Sequence, residues 1–531
     1  MKTEPTYSRI QIIKLVFAIS FAQFCISADI ATMSIATSAL MEQFSSNVDE
    51  LKVAGTIYPL VGSALMLISG IVGLYIGWRR LLIAGLLFGL ASSLSKLYAP
   101  SIEWITLVSR TLAGLAGVAV LPSTVALVVG HIPRKKRASI FGILAASTGI
   151  AAAIVPIISG WMFDTLSWKS GFYATALFYS LAICSATFWI TPLHNKKPHK
   201  FDIIGCILSA SSMLLIILGL IKSNEWGILQ NHSDYDLPRL LSSFGLAAWM
   251  IFVGLLIFCI FIKHEIKFEK KYHSSLIPSS WFKNSQLLLG LGILLTMYIV
   301  FGGLNFSLVA FLQVAINLTG LQTGLVILVF AISLIIFAVI TPLIFHKINE
   351  KHLAILAFLL CSVGSTFLLV ASDAHSISSL IYFIMIIFGA GIGILSSQAI
   401  VIITSAVGEQ DAERTGGLQA TVRNVGIAIG IAVIAGIGQS TMENKIKDSV
   451  VDNKAYSETI RHDVDSSTSI PYIKDEQLLN YLELQGIEPT ETKALLALNA
   501  KARLKNFHSS VILLLSFSLL GGIAAMRLKK V

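Results

Sequence analysis

Two ionisable residues lie deep inside otherwise apolar runs. Asp29 sits within Phe24-Cys25-Ile26-Ser27-Ala28-Asp29-Ile30-Ala31-Thr32-Met33, and Arg110 within Val108-Ser109-Arg110-Thr111-Leu112-Ala113-Gly114. A charge at the centre of a bilayer costs on the order of 3 kcal/mol, so such a group faces a cavity and has a partner. Burial disfavours a charged carboxylate and a nearby guanidinium favours it, so the protonation of Asp29 can follow the side to which it opens. The chemistry on offer is proton uptake and release, with Asp29 as carrier and Arg110 as counter-charge. The bland reading of the same pair is an ion pair that locks helix packing. Asp29 is the one carboxylate that the sequence places well inside the membrane; Asp164 and Asp202 read as caps or interfacial groups at helix ends. No serine/histidine, paired-carboxylate or metal-ligand set falls at a common depth, which argues against an enzyme and implies no cofactor. His131 and His346 lie at helix ends, and Cys25, Cys184, Cys206, Cys259 and Cys361 read as small apolar residues without ligand spacing.

The elements that must hold these residues are membrane helices. The 531 residues are 55% hydrophobic and 13% charged, with a mean hydropathy of +0.79; soluble chains are about a quarter charged. Apolar stretches of about 20 residues, the length that crosses a bilayer, recur at 11–39, 51–75, 79–98, 103–131, 138–162, 171–191, 202–222, 240–263, 286–312, 322–345, 352–371, 377–406, 415–438 and 509–527. These fourteen spans make the chain an all-α integral membrane protein. The net charge of +10 is spread over short clusters between spans: Trp78-Arg79-Arg80, Pro133-Arg134-Lys135-Lys136-Arg137, residues 195–200 and 263–271, and Arg527-Leu528-Lys529-Lys530. That is the positive-inside pattern, with both termini cytoplasmic in a plasma membrane, and it leaves no basic soluble domain for nucleic acid. Loops 41–50 and 231–238, on the opposite side, are poor in Lys and Arg.

Residues 439–508 break the rhythm with a charged stretch before the last span. Helical spacing at 475–485 and 490–506 predicts a short hairpin over the outer mouth; a mobile tether fits the composition equally well. The remainder divides into a six-helix bundle (1–191), an inserted helix pair (192–263), a cytoplasmic linker (264–285) and a second six-helix bundle (286–531). Two repeated halves with a site between them is the plan of many secondary transporters.

Several stretches, in order and spanning nearly the whole chain, resemble the fourteen-helix drug/proton antiporter branch of the major facilitator superfamily, the EmrB/QacA type. Asp29-Ile30-Ala31-Thr32-Met33-Ser34-Ile35-Ala36 is similar to its first-helix signature D-x-T-I-V-N-V-A. Arg110-Thr111-Leu112-Ala113-Gly114 resembles R-x-x-Q-G, with Ala113 in place of Gln. Phe201-Asp202-Ile203-Ile204-Gly205 with Trp226-Gly227 fits the inserted helix, and Phe311-Leu312-Gln313 the end of the ninth. Thr421-Val422-Arg423-Asn424-Val425-Gly426 with Gly430 is close to T-V-R-Q-x-G-x-x-x-G. Two motifs are eroded. In G-x-L-x-D-R-x-G-R-R, Gly70, Gly77, Arg79 and Arg80 remain, but Leu74 replaces the aspartate and Tyr75 the arginine. The resemblance assigns that aspartate to a latch on the cytoplasmic side, which must here be weaker or built otherwise. The antiporter motif G-x-x-x-G-P-x-x-G-G survives only as Ala151, Val155, Pro156, Ser159 and Gly160.

The resemblance implies two half-bundles around a central cavity, exchanging protons for a small amphiphilic organic substrate. Gln23, Tyr58, Tyr298, Asn305 and Phe306 are candidates for its wall by type and depth. Arg423 reads either as a gate with Glu409, Asp411 and Glu413, or as a snorkelling arginine at a helix end. Gly389, Gly391 and Gly393, with Gly426 and Gly430, supply small-residue faces for sliding contacts. A periplasmic adaptor is an expected partner if the source is a double-membrane bacterium. Two other functions remain open: a facilitator or importer of a siderophore or nutrient without proton antiport, and a receptor or partner subunit that acts through 439–508.

Overall fold

The computed structural model describes residues 8–44, 48–193, 201–226, 244–272, 275–412, 414–453, 456–467 and 470–529. Among them are fourteen helices long and apolar enough to cross a membrane. They are α1 (Arg9–Ile35), α2 (Val48–Ile76), α3 (Trp78–Leu97), α4 (Ile102–His131), α5 (Arg134–Thr165), α6 (Ser170–Trp189), α7 (Ile203–Ile221), α8 (Leu246–Tyr272), α9 (Ser285–Ala315), α10 (Gly320–Ile344), α11 (Glu350–Ala371), α12 (Leu380–Ser405), α13 (Thr415–Val450) and α14 (Pro489–Met526). The predicted count holds, because in lipid only a helix satisfies every backbone group within one segment. Loop 231–238, residues 195–200 and Glu413 lie outside the described residues.

Local chemistry sets the helix ends. Ser8 with Gln11, and Thr319 with Gln322, form capping boxes on α1 and α10. Asn284 caps α9 by accepting from the amides of Gln286 and Leu287. Gly77, at φ +93°, makes the sharp turn from α2 into α3 that a side chain would strain.

One face of the bundle, here the basic face, carries both described chain ends and the described basic clusters. Its cations satisfy carbonyls left open at helix ends. Arg137 donates to the carbonyls of Val129 (2.8 Å) and Ile132 (3.0 Å), Arg79 to that of Thr187 (2.5 Å), and Lys351 to that of Leu528 (3.0 Å).

Helices α1–α6 and α9–α14 form two bundles that meet where α5 packs on α10 and α12, and where α13 packs on α2 and α4. The inserted α7 and α8 pack on each other, and α7 leans on α2 and α13. The largest departure from the expected spans lies on the far face. There α13 and α14 run past the bilayer length and, with the short helices Glu458–Ser466 and Asp475–Leu484, enclose their own apolar core of Met442, Ile446, Ile460, Leu482 and Leu495. The described part of 439–508 is therefore packed as a cap on this face. Buried Arg503 pins it to the bundle, donating to the carbonyls of Val314 (3.2 Å) and Ile473 (2.9 Å) and to Asp475 (2.5 Å).

Candidate functional site

Asp29 is 1% exposed, about two turns from the far-face end of α1. Its principal partner is Lys96, which the sequence reading passed over: Lys96 Nζ lies 2.5 Å from Asp29 Oδ1, and Lys96 is fully buried. Arg110 approaches from the expected depth, but its Nη1 is 4.0 Å from Asp29 Oδ2, an ion pair without a hydrogen bond. The expected pair is thus a triad spanning α1, α3 and α4.

Lys96 occupies the last turn of α3 and turns its chain inward, over the ring of Phe172 at 5.5 Å. A lysine in the last turn of a span, followed by a loop (98–101) without Lys or Arg, was the signal that could have found it. The approach of Arg110 follows from a wide π-type turn, Ile105–Ser109, whose i−5 bond joins the Arg110 amide to the Ile105 carbonyl. Such turns re-aim side chains and recur at functional sites. The guanidinium also lies over the ring of Tyr58, at 5.3 Å.

Between the bundles lies a cavity of about 150 Å³, walled by α1, α4, α5, α9, α10, α12 and α13. Gln23, Tyr298 and Asn305 line it. Gln23 is fixed by Thr124, which donates to Oε1 at 3.3 Å, and by Thr148, to which Nε2 donates at 3.2 Å. Tyr58 is not among the lining residues; it packs between Gly117 and Arg110. Phe306 is 44% exposed, as on a face turned toward lipid. The reason is helical phase: at 100° per residue Phe306 points well away from its neighbour Asn305.

Arg423 lies inside the bundle and is no snorkelling end group. It lines the cavity, with its guanidinium 5.3 Å from the ring centroid of Tyr298. Asp411 pairs instead with Arg414, at 3.2 Å.

The motif glycines hold helices close. Gly114 faces Val61 of α2, and Gly426 and Gly430 face the backbone of α9 at Leu295 and Ile299. The faces expected to slide are thus contacts inside one bundle, as are Gly389 and Gly393 against α10. Contacts between the bundles use other glycines. A Cβ on Gly142 would strike the Ala338 carbonyl, and one on Gly417 would lie 3.1 Å from the Gly70 Cα. Near the basic face the two bundles thus also meet backbone to backbone, at Gly70 and Gly417. Eroded helix 5 still packs tightly on α1: Ala28 meets Ala151 and Val155, and Thr32 meets Ser159 at 3.1 Å. Pro156 is half-buried within α5, and a Cβ on Gly160 would meet only Ile35, at 3.6 Å.

Asp29 is not the only buried carboxylate. Asp202 caps α7 and accepts from the Gly205 amide (2.9 Å) and from His264 (3.0 Å). Fully buried Glu265 of α8 accepts from the Leu276 amide at 2.8 Å. Among the described residues no group of three or more His, Cys, Asp or Glu could hold a metal ion.

The model of the family described as Major Facilitator Superfamily matches residues 19–431. The chain belongs to that superfamily. As a facilitator it is a multi-pass membrane transporter. It is similar to the riboflavin transporter RibZ of Clostridioides difficile (27% identical, covering 77% of this chain and 84% of that protein). It is also similar to a lincomycin resistance protein of Streptomyces lincolnensis (26%, covering 82% and 86%). The crystal structure of the human organic anion transporter MFSD10 (TETRAN) shares the fold, with a TM-score of 0.60 over 97% of this facilitator and 99% of that chain, at 10% identity.

Proposed function

We propose that this facilitator exports amphiphilic organic compounds from the cytoplasm in exchange for protons, by rocking its two bundles about the central cavity. The observation that carries the reading is the buried Asp29–Lys96 pair beside Arg110, held by three helices of one bundle. Arginine stays charged under all physiological conditions, whereas lysine and aspartate can exchange protons. The exchangeable proton therefore belongs to the Asp29–Lys96 pair, with Arg110 as the fixed counter-charge. The basic face is cytoplasmic in this reading, since cytoplasmic loops collect Lys and Arg. The division into 1–191, the inserted pair 192–263, the linker 264–285 and 286–531 follows the same plan. Similarity to a lincomycin resistance protein supports efflux.

The test is a panel of amphiphilic compounds in everted vesicles. Asp29→Asn is expected to fold and to lose pH-gradient-driven flux; undiminished flux would overturn the assignment. A second reading, uptake or facilitated diffusion without antiport, is favoured by Leu74 in the latch motif and by similarity to a riboflavin transporter. It predicts accumulation that survives collapse of the proton gradient, where the exporter loses its effect.

A further inference from the structure

We infer that the central cavity selects organic anions: planar aromatic molecules bearing a carboxylate or another acidic group. The inference rests on the transport reading only in taking this cavity as the substrate site. Among its described lining residues Arg423 is the one side chain that is charged at neutral pH; the other polar groups are amides and hydroxyls of Gln23, Thr124, Thr148, Tyr298, Asn305, Ser396 and Gln419. A lipophilic cation would meet this positive charge with no carboxylate among the described lining residues to offset it, and the face of Tyr298 is already occupied by Arg423.

The guanidinium is held and left with capacity to bind. Stacking on Tyr298 fixes its position, while the guanidinium lines the cavity and makes no hydrogen bond among the described residues. An unsatisfied buried donor is costly, and more so when charged. A carboxylate satisfies it in the paired geometry for which arginine is suited. One turn away on α13, Gln419 also lines the cavity, with its Nε2 committed to Thr415 at 2.8 Å. Phe301 and Phe330, with ring centroids 6.1 Å apart, and Phe141 across the cavity supply apolar walls for a flat ring system. The Asp29 carboxylate does not offset Arg423, since it is hydrogen-bonded to Lys96.

The experiment compares two dyes with one xanthene ring system, anionic fluorescein and cationic rhodamine 123. Fluorescence anisotropy with the purified full-length protein in detergent, without any gradient, measures their binding. Fluorescein is expected to bind about tenfold tighter or more, the size of effect a charge-assisted hydrogen bond supplies. Arg423→Gln is expected to erase that difference, and Arg423→Lys to keep part of it. Equal or tighter binding of rhodamine 123, or fluorescein binding unchanged in Arg423→Gln, overturns the inference. Because Gln could disturb the Tyr298 contact, the wild-type preference is itself a sufficient test. The two readings fail separately. Arg423-dependent fluorescein binding without proton-driven flux sinks the exporter and leaves the anion site. Proton-driven rhodamine flux without anion preference does the reverse.

Discussion

At the scale of residues, the triad decides what each substitution does. Lys96→Ala removes the one hydrogen bond on Asp29 Oδ1 and leaves a buried carboxylate short of a partner. Breaking a buried pair in this way costs about 3–5 kcal/mol, so this variant is expected to show a sharply lowered melting temperature in detergent. Lys96→Arg separates structure from proton exchange. It keeps a cation beside Asp29 but replaces a group that can release a proton with one that does not. The expected outcome is near-normal folding and cavity binding with gradient-driven flux lost; proton-driven flux at wild-type rates would return the carrier role to Asp29 alone. The sequence showed two members of this triad and missed the third for a physical reason. Asp29 and Arg110 stand out because each interrupts an apolar run, whereas Lys96 lies where a helix end would place an ordinary interfacial lysine. Only the register between α1 and α3 turns it inward.

At the scale of elements, the inserted helices carry a second buried acidic site that anchors the chain between the two bundles. A Cβ on Gly205 would meet both Asp202 Oδ2 and Glu265 Oε1, so the two carboxylates crowd one point, while Glu265 Oε2 holds the Leu276 amide. Next to it, the Ser275 carbonyl accepts from Arg414 at 2.5 Å, just before α13. Glu265→Ala is expected to free the Leu276 amide at a cost of about 1–3 kcal/mol. Faster amide exchange through 275–277 and a lower melting temperature would register it. Glu265→Gln keeps an acceptor for the Leu276 amide and sets an amide beside Asp202 in place of a second carboxyl, so it is expected to match or exceed wild-type stability. Equal losses in both variants would mean that the carboxyl group itself is structural. Element boundaries were legible wherever the membrane imposed them, since apolar length fixes a span. In 439–508 the two stretches with helical spacing, 475–485 and 490–506, are helical, at Asp475–Leu484 and in the first part of α14; what the spacing did not show is that α13 and α14 run on into this segment and give it a core. Arg423 was misplaced for a similar reason. Counting from the start of α13 puts it near a helix end, but α13 enters the bundle interior at once, with Gly416 against the Pro122 carbonyl of α4.

At the scale of the whole molecule, alternating access requires the contacts between bundles near the basic face to form and break once per cycle. The tightest of these is α5 on α10, where Gly142 leaves no room for a side chain against the backbone at Ala338, and Gly149 sits against Ile335. Packed interfaces of this kind have discrete arrangements and do not deform continuously. A cross-link here therefore holds one arrangement rather than slowing the exchange between two. In a background with the five native cysteines replaced, the pair Gly142→Cys and Ala338→Cys places two thiols across this contact. Gly142→Cys alone introduces the same crowding without the cross-link and serves as the control for it. Oxidation of the double variant is expected to arrest substrate flux in vesicles while dye binding to the cavity persists. Reduction should restore flux to the level of the unoxidised protein. Full flux in quantitatively cross-linked protein would show that the two bundles need not part at α5 and α10, and rocking about the cavity would have to give way to motion within a single bundle.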